Sequence, residues 1–143
     1  MSYATQQDLI DRYGEARLIA LTDRADVPTG AVDVDTVTAA LDGADAIING
    51  YVGVRYALPL SEVPPLVNEL AQVIAWWKLH LFEPDAKTTE EYKDALRTLR
   101  DISSGAVRLP NVAGAEPDDA GTGGVQITDR ERPFTEANMK GFI

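Results

Sequence analysis

Apolar residues recur at helical spacing through most of the first 105 positions. Val34, Val37, Leu41, Ala44, Ile48 and Tyr51 step by three and four residues, the stripe of a helix that buries one face. Thr38, Asp42, Asp45 and Asn49 fall on the opposite face and are expected to meet water. Asp33 or Asp35 supplies the N-cap, where a negative charge also suits the helix dipole. Gly43, Gly50 and Gly53 each cost up to about 1 kcal/mol against alanine inside a helix. Close packing of another helix accounts for them better than a bend. A second helix, predicted over 65–82, is the most apolar. Leu66, Leu70, Val73, Ile74, Trp77 and Leu81 form one stripe, and Val67, Trp76, Leu79 and Phe82 widen it beyond a single face. A helix apolar on most sides lies at the centre of a core or partly beneath another subunit. Glu83, Pro84 and Asp85 end it. Thr88 or Thr89, followed by Glu90 and Glu91, opens a third long helix as a capping box. Its buried stripe is Tyr92, Ala95, Leu96, Leu99 and Ile102, and Gly105 closes it. Arg97 with Asp101, and Glu90 with Lys93, are expected to pair on its solvent side.

Two short helices precede these. Thr5 with Asp8 three positions on has the form of an N-cap, predicting a helix to about Tyr13 that Gly14 ends or bends. A second runs over 15–21, and the Asp, Pro and Gly of 22–33 mark a loop. Residues 46–65 (AIINGYVGVRYALPLSEVPP) join two of the long helices through a short, stiff elbow at Leu58, Pro59 and Leu60, with Pro64 and Pro65 opening the next helix.

After Gly105 the pattern changes. Residues 111–124 are rich in Gly, Asp and Ala without apolar periodicity, as in a linker. Beyond them Val125 and Ile127 alternate with polar residues as in a short strand, and Phe134, Met139, Phe142 and Ile143 add large apolar groups. Such a terminus docks on its own core or on a partner, the partner being the favoured expectation. It would be mobile in a free copy and ordered on assembly. The fold class is therefore all-α: a bundle of four to five helices over 1–109, a linker over 110–124, and a mostly irregular C-terminal docking arm over 125–143.

Charge and chemistry narrow the function. Thirteen Lys and Arg against 23 Asp and Glu give a net charge of −10. No basic patch of the kind that neutralises phosphates is present, so sequence-specific nucleic-acid binding is not expected. An acidic surface can still border a passage for DNA, since like charge prevents sticking. No run of apolar residues is long enough for a membrane span, and the first residues lack a secretion signal, which predicts cytosolic synthesis. With no cysteine and a single histidine, His80, the usual zinc sets and Cys–His nucleophiles are excluded. His80 reads as a helix-flank residue. Glu116, Asp118 and Asp119 read as solvated charge, and Gly121 to Gly124 lack the lysine of a phosphate loop. No catalytic residue, metal or cofactor is expected. Tyr51, Arg55 and Tyr56 form the one polar–aromatic cluster. Arg55 near a helix C-terminus suits the dipole, so a structural role is the stronger one for it.

The residues Gly50-Tyr51-Val52, Arg55-Tyr56-Ala57-Leu58-Pro59-Leu60 and Val63-Pro64-Pro65-Leu66 have a distinctive order. With the opening Tyr3-Ala4-Thr5, Arg12-Tyr13-Gly14 and the closing Arg132-Pro133-Phe134-Thr135 and Met139-Lys140-Gly141-Phe142, the chain resembles the Mu-type phage head-completion, or head–tail adaptor, family. The resemblance implies a virion protein at the capsid vertex, made in the host cytoplasm. It would form a homo-oligomeric ring matching the portal's symmetry, with the portal protein above and a tail-side connector or terminator protein below. Genomic DNA would pass through the ring. Tyr51, Arg55, Tyr56, Trp76, Phe134, Met139, Phe142 and Ile143 are the candidate residues for contacts with other copies or partners. Without the resemblance, a cytosolic helical binding or regulatory module acting through its C-terminal tail fits the same pattern.

Overall fold

A computed structural model describes residues 1–112. Among them are five helices and no strand: α1 (Gln6–Tyr13), α2 (Glu15–Thr22), α3 (Val34–Val52), α4 (Pro65–Leu79) and α5 (Ala86–Ser104). The linker from 113 onward, the arm over 125–143 and its strand at Val125 and Ile127 lie outside the described residues.

Local chemistry sets most of the boundaries. At α1 the Thr5 side chain accepts the Asp8 N–H while the Asp8 carboxylate accepts the Thr5 N–H at 2.8 Å, a reciprocal capping box. Gly14, at φ 92°, closes α1 and opens α2 with almost no intervening chain. The loop after α2 is tied by Asp23, whose carboxylate accepts the Thr29 and Gly30 N–H groups at 2.8 and 2.9 Å. Thr22 is buried and satisfied at both ends of its hydroxyl, donating to the Leu18 carbonyl and accepting the Asp33 N–H. That pair brings α2 to the start of α3, which Asp33 caps. Pro64 caps α4 in extended geometry and Pro65 takes its first position, as the fixed φ of proline favours.

The three long helices form the bundle, with α4 packed against both α3 and α5. Since α4 runs back between them, α3 and α5 point the same way and end at the same pole. Val37, Leu41, Ala44, Ile48 and Val52 of α3 meet Val67, Leu70, Ala71, Ile74 and Ala75 of α4 and Ala95, Leu99 and Ile102 of α5 in one core. The α1–α2 pair closes it through Leu9 and Leu18, both fully buried. Removing these side chains from water at about 25 cal/mol per Å² of apolar surface is the main stabilising term.

Several expectations are corrected. The α4 helix ends at Leu79, not Phe82: His80 turns to extended backbone (φ −74°, ψ 125°), and Leu81 and Phe82 stand in the connection. The α5 helix starts at Ala86 under an Asp85 cap that accepts the Thr88 N–H at 3.3 Å, so neither Thr88 nor Thr89 caps it, and Thr88 is buried. Asp45 does not meet water. It is buried because the Tyr3 N–H needs an acceptor beneath the N-terminal segment, and it provides one at 3.1 Å. Asn49, half-buried, accepts the Tyr3 hydroxyl. Val34, counted in the buried stripe, lies in the first turn and is exposed. Arg97 pairs with Asp94 at 2.7 Å, three residues before it and not four after; Glu90 and Lys93 do pair, at 2.9 Å. At Gly43 a Cβ would lie 3.2 Å from the outer part of the exposed Lys78 side chain, which is free to shift, and at Gly50 it would meet open space, so close helix packing accounts for neither. Gly53 is the C-cap of α3.

Candidate interaction surface

The elbow between α3 and α4 contains a cis peptide bond at Leu58–Pro59 and two side chains that reach across the bundle pole. Arg55 was expected to favour the C-terminus of its own helix. Its Nη1 instead donates to the Ser104 carbonyl at the end of α5, at 3.3 Å. A guanidinium placed against the last carbonyls of a helix satisfies an orphan acceptor and suits the dipole. Gly105 follows at φ 85°, the left-handed cap, and its missing side chain leaves the space that the guanidinium occupies. Tyr56 is buried, and its Oη accepts the Leu109 N–H at 3.0 Å. Together these contacts bring residues 105–112 back over the pole, where Leu109 is buried and Val107 and Val112 pack against the core.

Two aromatic stacks flank α4. Trp76 lies face to face with Tyr13 of α1 at 4.0 Å between centroids, and Trp77 with Tyr92 of α5 at 4.1 Å. Burial pushes the Tyr13 hydroxyl above its ordinary pKa. His80 sits edge-on to Trp76, with its Nδ1 2.9 Å from the Trp76 carbonyl oxygen. A cleft of about 400 Å³ beside it is lined by Arg17 and Lys87 and by Glu83, Asp85 and Glu91. Such a mixture of charges selects no ligand charge. Among the described residues no group of three or more His, Asp or Glu side chains converges as a metal site would. Nor is any helix there long and apolar enough to cross a membrane.

The predicted contact residues therefore separate. Tyr56 and Trp76 are buried inside this chain, at 4% and 5% exposure, by Leu109 and Tyr13 respectively. Arg55 is half-buried at the pole. Tyr51, half-buried, lines a groove of about 430 Å³ between α3 and α5 with Ala46, Ile47, Gly50, Tyr92 and Leu96. Phe134, Met139, Phe142 and Ile143 lie outside the described residues. The pattern missed the most exposed apolar pair on the α4–α5 connection, Leu81 at 65% and Phe82 at 85% exposure, because it counted both into α4. No local signal marks the turn at His80, because Pro84 restricts only Glu83 and so allows a helix to run to Phe82.

The described residues define a small all-α bundle. Comparison with known proteins then gives the family. The family described as Bacteriophage Mu, Gp36 matches residues 3–127. "Gene product J" of Escherichia phage Mu is 35% identical over 147 aligned positions that cover 100% of both chains. The Mu-like prophage FluMu protein gp36 of Haemophilus influenzae is 30% identical over 145 positions, covering 99% of this chain and 98% of that protein. The chain belongs to the bacteriophage Mu Gp36 family and is a Mu-type phage protein.

Proposed function

We propose that this protein is a structural component of the virion, a head-completion or head–tail adaptor protein. Copies of it form a ring beneath the portal, and the ring is the platform on which the tail attaches. It works by binding and not by catalysis, with no cofactor. Its partners are other copies of itself, the portal protein and a tail-side connector or terminator protein. The observation that carries this proposal is the Leu81–Phe82 pair, held out to solvent on a short connection between two packed helices. Two adjacent large apolar side chains held in solvent supply a surface that another protein can cover. A five-helix body supported by caps and one shared core supplies the rigidity that a ring subunit needs. The net charge of −10 lets DNA pass without adhering.

The test is electron microscopy of lysates from a phage lacking this gene. DNA-filled heads beside free, complete tails are expected. Normally joined particles would refute the adaptor role.

A further inference from the structure

We infer that the groove between α3 and α5 is covered by the C-terminal residues of the same chain, through the apolar side chains at Phe134, Met139, Phe142 and Ile143. This inference does not depend on the adaptor role. The groove is an unfinished piece of the core. Ile47 and Tyr51 of α3 and Tyr92 and Leu96 of α5 face it and are only half-buried, although Tyr51, Tyr92 and Leu96 belong to the apolar stripes of their helices. Ala46 and Gly50 keep its α3 wall low, and a Cβ on Gly50 would meet nothing within 4 Å. The space of about 430 Å³ is therefore open where large side chains could enter.

Three observations select the occupant. The first is where the chain leaves the bundle. Tyr56 and the core hold Leu109 at the pole where α3 and α5 both end, and the described chain stops three residues later. Leu96 lies eight residues before the end of α5, so the groove is about 12 Å up the helix at 1.5 Å per residue.

The second is length. Thirty-one residues follow Val112 (143 minus 112), more than the groove needs. The third is composition. Residues 113–124 contain no large apolar side chain, and all of those that follow Val112 stand beyond position 124. The chain from Val112 to Phe134, the first of the four, is 22 residues long (134 minus 112), and a flexible coil of that length has an end-to-end distance of about 26 Å. The span of about 12 Å lies well within that reach, so the tether permits docking within one chain. The chain thus supplies ample reach and then the apolar groups that the groove lacks.

The absence of cysteine from the chain permits a direct test in the full-length protein. Gly50→Cys is combined in turn with Phe134→Cys, Met139→Cys and Phe142→Cys, and disulfide formation is followed under mild oxidation. The control pair, Asp26→Cys with Phe142→Cys, uses an exposed position in the α2–α3 loop. At least one groove pair should close within a single chain about tenfold faster than the control, since docking concentrates the two thiols beyond what the tether alone does. Adding Leu96→Glu, or the exposed Ala46→Glu that leaves the core untouched, should return that rate to the control value. Three groove pairs no faster than the control would overturn the inference. So would links formed only between chains, which would assign the groove to a second copy, or a rate that neither glutamate changes.

Discussion

Tyr56→Phe isolates one hydrogen bond at the bundle pole. The Leu109 N–H donates to the Tyr56 Oη at 3.0 Å, and both residues are buried, at 4% and 6% exposure. Phenylalanine keeps the ring and its packing and removes only the acceptor. The Leu109 N–H is then left in apolar surroundings, and an unpaired buried donor costs about 1–3 kcal/mol. Truncation to alanine would add a cavity cost, bringing the total to about 3–5 kcal/mol, and would not separate the two effects. For a chain of this size 1 kcal/mol corresponds to roughly 3–5 °C, so the melting temperature should fall by about 3–15 °C. Urea unfolding at neutral pH should show a lower midpoint with an unchanged slope, because the surface exposed on unfolding is the same. Amide exchange supplies the local readout. Leu109 should lose protection beyond the global change, whereas Leu99 and Ile102, inside α5, should follow the global change alone. A loss below about 0.5 kcal/mol with Leu109 protection intact would refute the reasoning, since it would mean the amide has another acceptor.

Three further outcomes are expected. Gly105→Ala should destabilise by about 1–2 kcal/mol, because an L residue is strained at φ 85° and its Cβ would displace the Arg55 guanidinium from the Ser104 carbonyl; a urea midpoint equal to the parent's would contradict that. Leu81→Ser with Phe82→Ser should leave stability within about 0.5 kcal/mol, both positions being exposed, yet fail to rescue a phage lacking the gene; full rescue would remove this pair from the assembly surface. The Thr5 backbone N–H holds the Asp8 carboxyl below its ordinary pKa, against the opposing effect of burial, with smaller help from the Thr5 hydroxyl and Asn68. A pKa lowered on folding contributes stability above the unfolded value of about 3.9, and that contribution is lost as pH falls through the folded value. The stability gap between the parent and Asp8→Asn should therefore be full above about pH 5 and shrink on acidification. A gap independent of pH, from denaturation curves at several pH values, would rule out the capping carboxylate as its source.

What could be read from the sequence was what short spacing determines. Thr5 and Asp8 satisfy each other over three residues, so the start of α1 was legible, and so was the α3 stripe from Val37 to Ile48. The end of α4 was not, because the apolar period continues through Leu81 after the backbone has turned at His80. The Asp85 cap was legible in principle, since Asp after Pro and three residues before Thr88 is a local signal, but the Thr–Glu pair three residues later competed with it. The contacts that shape the pole and the N-terminal segment join positions far apart: Arg55 to Ser104, Tyr56 to Leu109, and Asp45 to Tyr3. No periodicity encodes them. Asp45 shows the difficulty plainly, because its place on the polar face of α3 is correct while its burial depends on a segment 42 residues away.

Trp76 and Trp77 stand at consecutive positions on α4, about 100° apart around its axis. One faces Tyr13 on α1 and the other Tyr92 on α5. They are the only two tryptophans in the chain. Replacing either with phenylalanine leaves a single tryptophan, which excitation at the red edge of indole absorption selects over the five tyrosines, and the two resulting proteins view different joints of the same molecule. With Trp76 alone, emission follows the seating of the N-terminal hairpin; with Trp77 alone, it follows the α4–α5 joint beside the Leu81–Phe82 connection. A time course recorded on both would tell whether binding on one side of the bundle is felt on the other.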